Sequence, residues 1–379
     1  MATIFNSNIS ADTFFKDYWQ RKPLLIRGAF ANDFMHNLIT AEELAGFSLE
    51  AEIESRLITN LDNNWQLEHG PLTENLFQEL PEHHWILLVQ SLDYFHSPLQ
   101  NLIKACDFMP RWRLDDVMVS FATNHGGVGA HLDQYDVFLI QGQGQRRWRV
   151  GHKDQLVTHQ QSHPEIAQIE AFTADLDVQV EAGDLLYIPP NTPHWGESIG
   201  DSMCYSVGFR APNLEAIAQQ LFDDSSQELN QLWQDQGILK LDNASGELPN
   251  NLSGWAQQQI IKITLEQKLP IAIGKELTRL KYPELLEAIS PCEAQELSEL
   301  AMLKAFRLNP ISRLAFVKAD AKLLTFVNGD DFAADQQLLP ILEALNKGQL
   351  INSRDLTINK DIMRDLLSWL ISNDALVIE

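Results

Sequence analysis

The side chains best suited to chemistry in this sequence are His131 and Asp133, which lie two residues apart in the tripeptide H-L-D. In an extended strand, side chains at this spacing point to the same face, so both would reach one site as a two-ligand metal arm. A distant histidine, His194, would complete a set of two histidines and one carboxylate, which holds Fe(II) and leaves positions open for substrate and oxygen. The tripeptide alone decides nothing, because roughly one H-x-D is expected by chance in such a chain.

The segments around these residues strengthen the metal hypothesis. The approach HGGVGA at 125–130 lets the backbone bend into a tight cavity, and we expect its His125 to lie off the metal arm. The segment GDLLYIPPNTPH at 183–194 places a turn just before His194. It resembles the second cupin motif, with Asn191 where that motif has glycine, and Asn is the next best residue for a left-handed turn position. The pattern favours metal ligation by His194 over a surface histidine.

A candidate anion-binding residue, Arg146, follows the sequence QGQG at 141–144. We interpret QGQG as a hairpin turn that joins the strand after His131 to the strand carrying Arg146. On that strand Arg146 and Trp148 would share the inner face, while Arg147 points outward. A buried arginine beside a metal is unfavourable unless it meets an anion, and its planar guanidinium fits a carboxylate. We therefore expect a dicarboxylate with one end on the metal and the other on Arg146.

Three successive patterns must supply the elements that position these residues. Short strands separated by Gly and Pro from about 107 to 210 predict an all-β barrel or sandwich, preceded by an N-terminal helix and strand. A helical pattern follows to about 290, and the rest mixes helices with β segments in the manner of a small winged-helix module. We predict an α+β protein with a cupin-like domain at 1–212, a helical region at 213–290 and a winged-helix-like domain at 291–379.

The net charge and the composition indicate which partners and which cellular compartment the protein suits. The 379 residues carry 28 Lys and Arg against 52 Asp and Glu, a net charge of −24. A field of that sign disfavours direct binding to nucleic acids or anionic membranes and suits a basic partner. The three cysteines have wide, irregular spacing that gives neither a disulfide framework nor a zinc motif. The opening residues lack the pattern of a secretory signal, and no long apolar run occurs, so we expect a soluble cytoplasmic protein.

Longer segments carry a family resemblance. DVMVSFATNHGGVGAHLDQYDVFLIQGQGQRRWRVG, GDLLYIPPNTPHW and YSVGFRAPN resemble the JmjC family of Fe(II)- and 2-oxoglutarate-dependent protein hydroxylases, and within it the bacterial ribosomal oxygenases. The resemblance spans the full chain and implies a double-stranded β-helix core, a helical dimerisation region and a C-terminal winged helix. It implies catalytic iron on His131, Asp133 and His194, O2 as oxidant, and 2-oxoglutarate held by Arg146 with help from Ser120. It also implies a homodimer that hydroxylates an arginine of a large-subunit ribosomal protein.

The strand DDVMVSF points further residues toward the substrate. Asp116, Met118 and Ser120 alternate onto one face, so Asp116 would lie at the mouth of the site, where a carboxylate suits a substrate guanidinium. A solvated acid at the start of a strand is the alternative reading of Asp116. Tyr135 faces inward either as a substrate contact or as a plain core residue, and Ser206 is a weaker candidate.

Three other functions remain open at this point. A cupin metalloenzyme acting on a small molecule without 2-oxoglutarate would keep the metal ligands but would not need Arg146. A non-catalytic module would use an acidic cleft to bind a basic ribosomal protein. Lysine demethylation is disfavoured, because the resemblance is to the hydroxylase branch of the family.

Overall fold

The computed structural model describes residues 4, 9–62, 64–234, 248, 251–265, 268–319 and 322–379. Internal contacts divide the chain into two compact units, Met1–Ala211 and Pro212–Glu379. The further boundary near residue 290, and with it the three-domain division, stays a prediction.

The first unit combines short helices with antiparallel strands. Its helices are α1 (Ala11–Asp17), α2 (Asn32–His36), α3 (Ala41–Phe47), α4 (Glu74–Glu79) and α5 (Gln100–Ala105). Its strands are β1 (Leu24–Ile26), β2 (Ser55–Leu61), β3 (Asn64–His69), β4 (Trp85–Val89), β5 (Leu114–Ala122), β6 (Asp136–Val150), β7 (His159–His163), β8 (Ile166–Ile169), β9 (Leu176–Glu181), β10 (Leu185–Ile188) and β11 (His194–Phe209). After α3 the chain changes to β structure, because Ser55–Leu61 pairs with two neighbouring strands as β2.

Nine of these strands form one sheet. Eight follow the order β1-β10-β6-β11-β5-β4-β2-β3, and β9 pairs with β6. β7 and β8 form a hairpin of their own, which meets the large sheet through a bridge between Gln168 and His131. The predicted β region is therefore present.

The two faces of this sheet differ in chemistry. On β5, Val117 and Val119 are buried in the main apolar core, which also contains Phe14 of α1. Met118 belongs to a separate apolar cluster on the opposite face, and Ser120 lies on that face as well because it alternates with Val119. The alternation follows from the period of two in the sequence, and it leaves Met118 and Ser120 on the face opposite the main core.

The sequence QGQG is not a hairpin turn, and that prediction is wrong. β6 runs unbroken through it from Asp136 to Val150 and pairs with β11 on both sides of it. The two glycines instead allow β11 to pack closely against β6. A side chain at Gly142 would collide with the ring of Tyr205, and one at Gly144 would collide with the backbone of Asp201. The register between β6 and β11 shifts at this point, and β6 exchanges one outer neighbour, β10, for another, β9. The glycines thus mark an irregularity within one strand.

The β6 strand must curl back on itself. A straight strand of 15 residues would be about 50 Å long at about 3.3 Å per residue. Asp133 precedes the start of β6 by three positions, yet its carboxylate lies 3.5 Å from Nε2 of His194, and His194 pairs with Val150 at the other end of the strand. The two ends of β6 are therefore brought together, as in a closed barrel.

The tripeptide H-L-D does not begin a regular strand, contrary to expectation. His131 forms an isolated bridge with His194, and β6 starts only at Asp136. Asp133 lies in the irregular segment between them. A backbone bridge at His131 followed by a short loop is enough to bring both side chains to His194.

The second unit is also mixed. Its helices are α6 (Leu214–Asp224), α7 (Ser226–Leu229), α8 (Leu252–Leu265), α9 (Lys268–Thr278), α10 (Pro291–Ala301), α11 (Leu339–Asn346) and α12 (Lys360–Ser372). Its strands are β12 (Ala305–Leu308), β13 (Leu314–Lys318), β14 (Lys322–Val327), β15 (Asp330–Asp335), β16 (Ile351–Asn352) and β17 (Leu376–Ile378). They form two three-stranded antiparallel sheets, β16-β12-β17 and β13-β14-β15. The winged-helix assignment of its C-terminal part stays a prediction.

The helices were compared with the length and hydrophobicity that a membrane span requires. Throughout the part of the chain that the structure describes, every helix is too short or too polar to cross a bilayer.

Candidate active site

Three predicted metal ligands converge in the first unit. His131, Asp133 and His194 each offer a ligand atom, and these atoms all lie within 4.8 Å of one another. The two imidazole rings are 4.1 Å apart at their centroids, and Nε2 of His194 is 3.5 Å from Oδ2 of Asp133. Two imidazole nitrogens and one carboxylate form the donor set that suits Fe(II) in oxygenases. The residues present therefore fit a resident metal ion of this kind.

Hydrogen bonds prepare both histidines for metal binding. Nδ1 of His131 donates to the carbonyl of Gly129 at 3.0 Å, and Nδ1 of His194 donates to the carbonyl of Thr192 at 2.9 Å. Because a carbonyl only accepts, each ring carries its proton on Nδ1 and keeps the lone pair of Nε2 for a metal. Burial, with a smaller contribution from His131, lowers the pKa of His194 to about 4. His194 is thus neutral near pH 7, which is the state that coordinates metals.

Backbone bonds fix the relative positions of the ligand segments. The N–H of His131 donates to the carbonyl of His194, and the reverse bond is also present, each at 3.0 Å. The N–H of Asn191 donates to the carbonyl of Asp133 at 2.8 Å. Asn191 has a φ of 55°, so it occupies the left-handed turn position where the cupin motif has glycine. The turn predicted before His194 therefore also fixes the backbone of Asp133.

Arg146 lies inside the barrel and is held by two serines. Its Nε donates to the hydroxyl of Ser202 at 2.8 Å, and Nη1 donates to the hydroxyl of Ser120 at 3.0 Å. Nη2 donates to the carbonyls of Ser120 and Ser202 at 3.1 Å and 3.4 Å. The side chains of β6 beyond the glycines alternate as predicted, with Arg146 and Trp148 buried and Arg147 exposed.

Among the residues that the structure describes, no carboxylate balances the charge of Arg146. Within the described ranges, no carboxylate lies at ion-pairing distance from Arg146, which is only 5% exposed, and burial lowers its pKa. A guanidinium has five N–H donors, and the four hydrogen bonds to serine leave one on Nη1. The indole N–H of Trp148, on the same face, is also buried without a partner among the described residues. An enclosed cation with unused donors beside it is a site for an anion.

Arg146 lies on β6, the strand that pairs with the strand of His194. In the pairing of β6 with β11, Arg146 lies opposite Ser198 and Val150 lies opposite His194. Ser198 is four positions from His194, or about 13 Å along a strand that rises about 3.3 Å per residue. A short dicarboxylate, together with the side chains that hold its two ends, spans such a distance.

Comparisons with known proteins agree with this geometry. A sequence model of the JmjC domain matches residues 101–217. The ribosomal protein uL16 3-hydroxylase of Escherichia coli (strain K12) is 46% identical over 204 residues, 54% of this chain and 53% of that protein, so the match spans about half the length of that relative. A probable ribosomal oxygenase of Haemophilus influenzae is 28% identical over 335 residues, covering 85% of this chain and 82% of that one.

Solved structures extend the similarity to both units. The X-ray structure of E. coli ycfD is 30% identical and superposes with a TM-score of 0.78 over 98% of each chain. This chain belongs to the ribosomal oxygenases of the JmjC family. Another structure of YcfD, described as a ribosomal oxygenase in complex with cobalt and 2-oxoglutarate, has a TM-score of 0.75, 29% identity and 98% coverage of each chain. The α+β fold with a JmjC and cupin core is thereby confirmed.

In this ribosomal oxygenase, three of the four predicted substrate residues lie on the neighbouring strands β5 and β11. Met118 of β5 is paired with Ser206 of β11. Asp116 is 4% exposed, and its Oδ2 accepts from the side-chain amide of Gln90 at 2.8 Å and from the hydroxyl of Ser91. Asp116 is therefore buried and hydrogen-bonded, which differs from the solvated acid of the alternative reading.

Tyr135 is the most accessible of the predicted substrate residues. It is 45% exposed, so it is not a plain core tyrosine. Its partial burial raises the pKa of the hydroxyl, and the carboxylates of Asp133 and Asp116 raise it further. Arg56 acts in the opposite direction, so the groups that act on Tyr135 are of both signs, with the carboxylates dominant.

His125 lies off the metal arm, as expected. Its Nδ1 is 2.8 Å from Oε1 of Glu197, and its exposed ring stacks on His84 at a centroid distance of 5.2 Å. It makes no part of the ligand cluster formed by the described residues.

Two groups of residues near the site of this ribosomal oxygenase were not identified by the sequence analysis. Ser202 and Ser198 hold Arg146 through a chain in which their hydroxyls are 2.7 Å apart, and Gln168 of β8 reaches the glycine loop before His131. Two serines beside a polar turn of the chain and a glutamine in a polar hairpin carry no local signal of such roles. Only the long-range pairing of β11 with β6, and of the hairpin with the loop, reveals them.

Proposed function

We propose that this chain is an Fe(II)- and 2-oxoglutarate-dependent oxygenase that hydroxylates a large-subunit ribosomal protein of the uL16 type. The observation that carries the proposal is the pairing of the His131, Asp133 and His194 cluster with the buried guanidinium of Arg146. A metal site alone fits many cupin enzymes. A metal site together with an enclosed cation that no described carboxylate pairs with, on the neighbouring strand, fits a dicarboxylate co-substrate.

The chain's own residues would position the reactants. His131, Asp133 and His194 would hold iron through Nε2, Oδ2 and Nε2, and Arg146 would bind the distant carboxylate of 2-oxoglutarate with Ser120 beside it. When bound, iron and 2-oxoglutarate supply, with O2, an oxidant that inserts oxygen into an unactivated C–H bond. Buried Trp148 on the same face as Arg146 would keep water from this part of the barrel. The protein thereby contributes orientation and a fixed electrostatic environment.

We propose an arginine as the target side chain. The carboxylates of Asp133 and Asp116 both raise the pKa of Tyr135, and each has a larger effect than Arg56, which lowers it. A guanidinium would offset this accumulation of negative charge and can donate to carboxylate and phenol oxygens together. Met118 and Ser206, paired across β5 and β11, would line the same pocket.

The activity is tested with purified components. The protein is incubated with Fe(II), 2-oxoglutarate and uL16 from cells that lack this gene, and intact masses are compared before and after. We expect a gain of one oxygen atom on an arginine-containing peptide, together with succinate. An unchanged mass, with the metal-loaded protein intact, would refute the substrate assignment.

The choice of arginine is tested separately with Asp116→Asn. We expect a higher KM for the ribosomal substrate and an unchanged KM for 2-oxoglutarate. The matched control is Asp115→Asn on the same strand, where the native carboxylate is 3.0 Å from Nε of Arg210. A substrate with lysine in place of the target arginine should be a poor substrate, because a compact ammonium lacks the planar fork.

The rival functions predict different results. Turnover that survives Arg146→Ala but not His131→Ala would favour a cupin enzyme that acts without 2-oxoglutarate. Succinate release that depends on the ribosomal protein would exclude a purely non-catalytic binding module. Formaldehyde release from a methylated lysine peptide would favour demethylation.

We also propose that the protein is a homodimer. Helices α6 and α8 carry large apolar side chains that are at least 40% exposed: Leu214, Phe222, Ile260, Ile261 and Leu265. Exposed apolar side chains on helices are typical of association surfaces. Light scattering should give the mass of two copies for the wild type and of one copy for Ile261→Asp. A wild-type protein with the mass of one copy would contradict the proposal.

A further inference from the structure

The β7–β8 hairpin brings one buried amide to the loop that precedes the metal arm. Gln168 is 3% exposed, although Ala167 next to it is exposed. A buried glutamine must satisfy its hydrogen bonds within the protein. The Nε2 of Gln168 donates to the carbonyl of Val128 at 2.8 Å.

The hairpin is joined to the same loop through its backbone. The N–H of Ile169 donates to the carbonyl of Ala130 at 2.9 Å, and Gln168 forms a bridge with His131. Gly129 lies between these two contacts with a φ of +83°, and a side chain there would collide with Nε2 of Gln168. The absence of a Cβ at Gly129 is what admits the glutamine amide.

The carbonyl of Gly129 connects this packing to the metal ligand. It accepts the hydrogen bond from Nδ1 of His131 at 3.0 Å, which sets the ring orientation and leaves Nε2 for the metal. On one side of that carbonyl, Gln168 binds the carbonyl of Val128, and on the other side the backbone of the hairpin binds the carbonyl of Ala130. The orientation of the His131 ring is therefore coupled to the side chain of Gln168.

We propose that Gln168 is a positioning residue for the metal ligand His131, acting through the Val128–Gly129 peptide. This inference rests on the proposed function for the identity of the metal site. Groups that orient metal ligands typically change metal affinity by about 10- to 100-fold when they are removed. We expect a loss of that size for Gln168 variants, without loss of the fold.

The test compares Gln168→Leu and Gln168→Glu with the wild type. Leucine removes the donor at similar size, and glutamate keeps the shape but turns an acceptor toward the Val128 carbonyl. The control is Gln160→Leu, because Gln160 is exposed and pairs with Gln168 across the hairpin. Cobalt(II) is titrated into each full-length protein, and the visible absorption bands of the bound ion report the ligand geometry.

We expect weaker cobalt binding and altered bands in both Gln168 variants, with Gln160→Leu and the circular dichroism spectra unchanged. If Gln168→Leu does not fold, Gln168→Glu and Gln168→Met provide the comparison. Wild-type cobalt affinity and bands in folded Gln168 variants would overturn the role of Gln168 alone. A wild-type protein that binds no cobalt or iron would overturn the metal site, and with it the proposed function.

Discussion

The backbones of His131 and His194 bond to each other in both directions, each N–H donating to the other carbonyl at 3.0 Å. Two proposed ligands that are far apart in sequence are thus held by main-chain bonds, which do not depend on their side chains. A side-chain substitution at either position should remove a ligand and leave the site's framework in place.

Loss of one histidine ligand should abolish metal binding without unfolding the protein. We expect His194→Ala to fold and to lose cobalt affinity by more than about 100-fold, because removal of a ligand exceeds the effect of removing its supporting groups. His125→Ala is the control, since His125 is exposed and paired with Glu197. Cobalt titration followed by absorbance measures both, and tight binding by His194→Ala would contradict the ligand assignment.

Loss of the buried guanidinium should weaken co-substrate binding selectively. Breaking a buried, hydrogen-bonded charge pair costs about 2–5 kcal/mol, so Arg146→Gln should bind 2-oxoglutarate about 30-fold more weakly or worse. Metal affinity should not change. Arg147→Gln is the matched control, because Arg147 points outward and pairs with Asp177. Calorimetric titration of cobalt-loaded protein decides the outcome, and equal affinities in the two variants would exclude Arg146 as the anion site.

The turn before His194 should tolerate glycine but not a β-branched residue. Asn191 has a φ of 55°, a conformation that costs most L-residues about 1–2 kcal/mol. Asn191→Val should lower the free energy of unfolding by about that amount or more, and Asn191→Gly should leave it nearly unchanged. Urea denaturation measures both variants, and equal stabilities would show that this backbone conformation is not maintained in solution.

Two aspartates should give opposite pH dependence of stability. Asp136 is buried and accepts from the Tyr187 hydroxyl at 2.6 Å, and burial raises its pKa above the ordinary value of 3.8. The folded state then holds the proton more tightly than the unfolded state. The stabilising contribution of the protonated group is complete below the unfolded pKa and is lost as the pH rises through the raised folded pKa. In contrast, the hydrogen bond from Arg147 lowers the pKa of Asp177, whose contribution is lost as the pH falls.

The measurement is urea denaturation of the wild type, Asp136→Asn and Asp177→Asn across the acidic range. The difference in free energy of unfolding between wild type and Asp136→Asn should decrease as the pH rises. The difference for Asp177→Asn should increase with pH. The same slope for both variants would contradict the assignment of the raised pKa to burial of Asp136.

Sequence patterns predicted the parts of the site that depend on local periodicity. The alternation of Arg146 with Arg147 and the left-handed position of Asn191 follow from strand period and turn chemistry, and both are present. The continuous path of β6 was not predicted, because two glycines at this spacing usually indicate a turn. Here Gly142 instead makes room for the ring of Tyr205, a contact that the sequence does not reveal. Tertiary contacts decided between a turn and an irregular strand, and no local pattern records such contacts.

The position of the β7–β8 hairpin in the chain order has an evolutionary consequence. β6 ends at Val150, which is paired with Leu176 of β9, so the chain leaves the barrel and returns to it at adjacent points with the hairpin between them. An insertion with neighbouring ends can be lengthened, shortened or exchanged among related enzymes while the barrel persists. Gln168 lies on that insertion. With the role proposed for Gln168, such an exchange would change the metal affinity without altering any of the three proposed ligands.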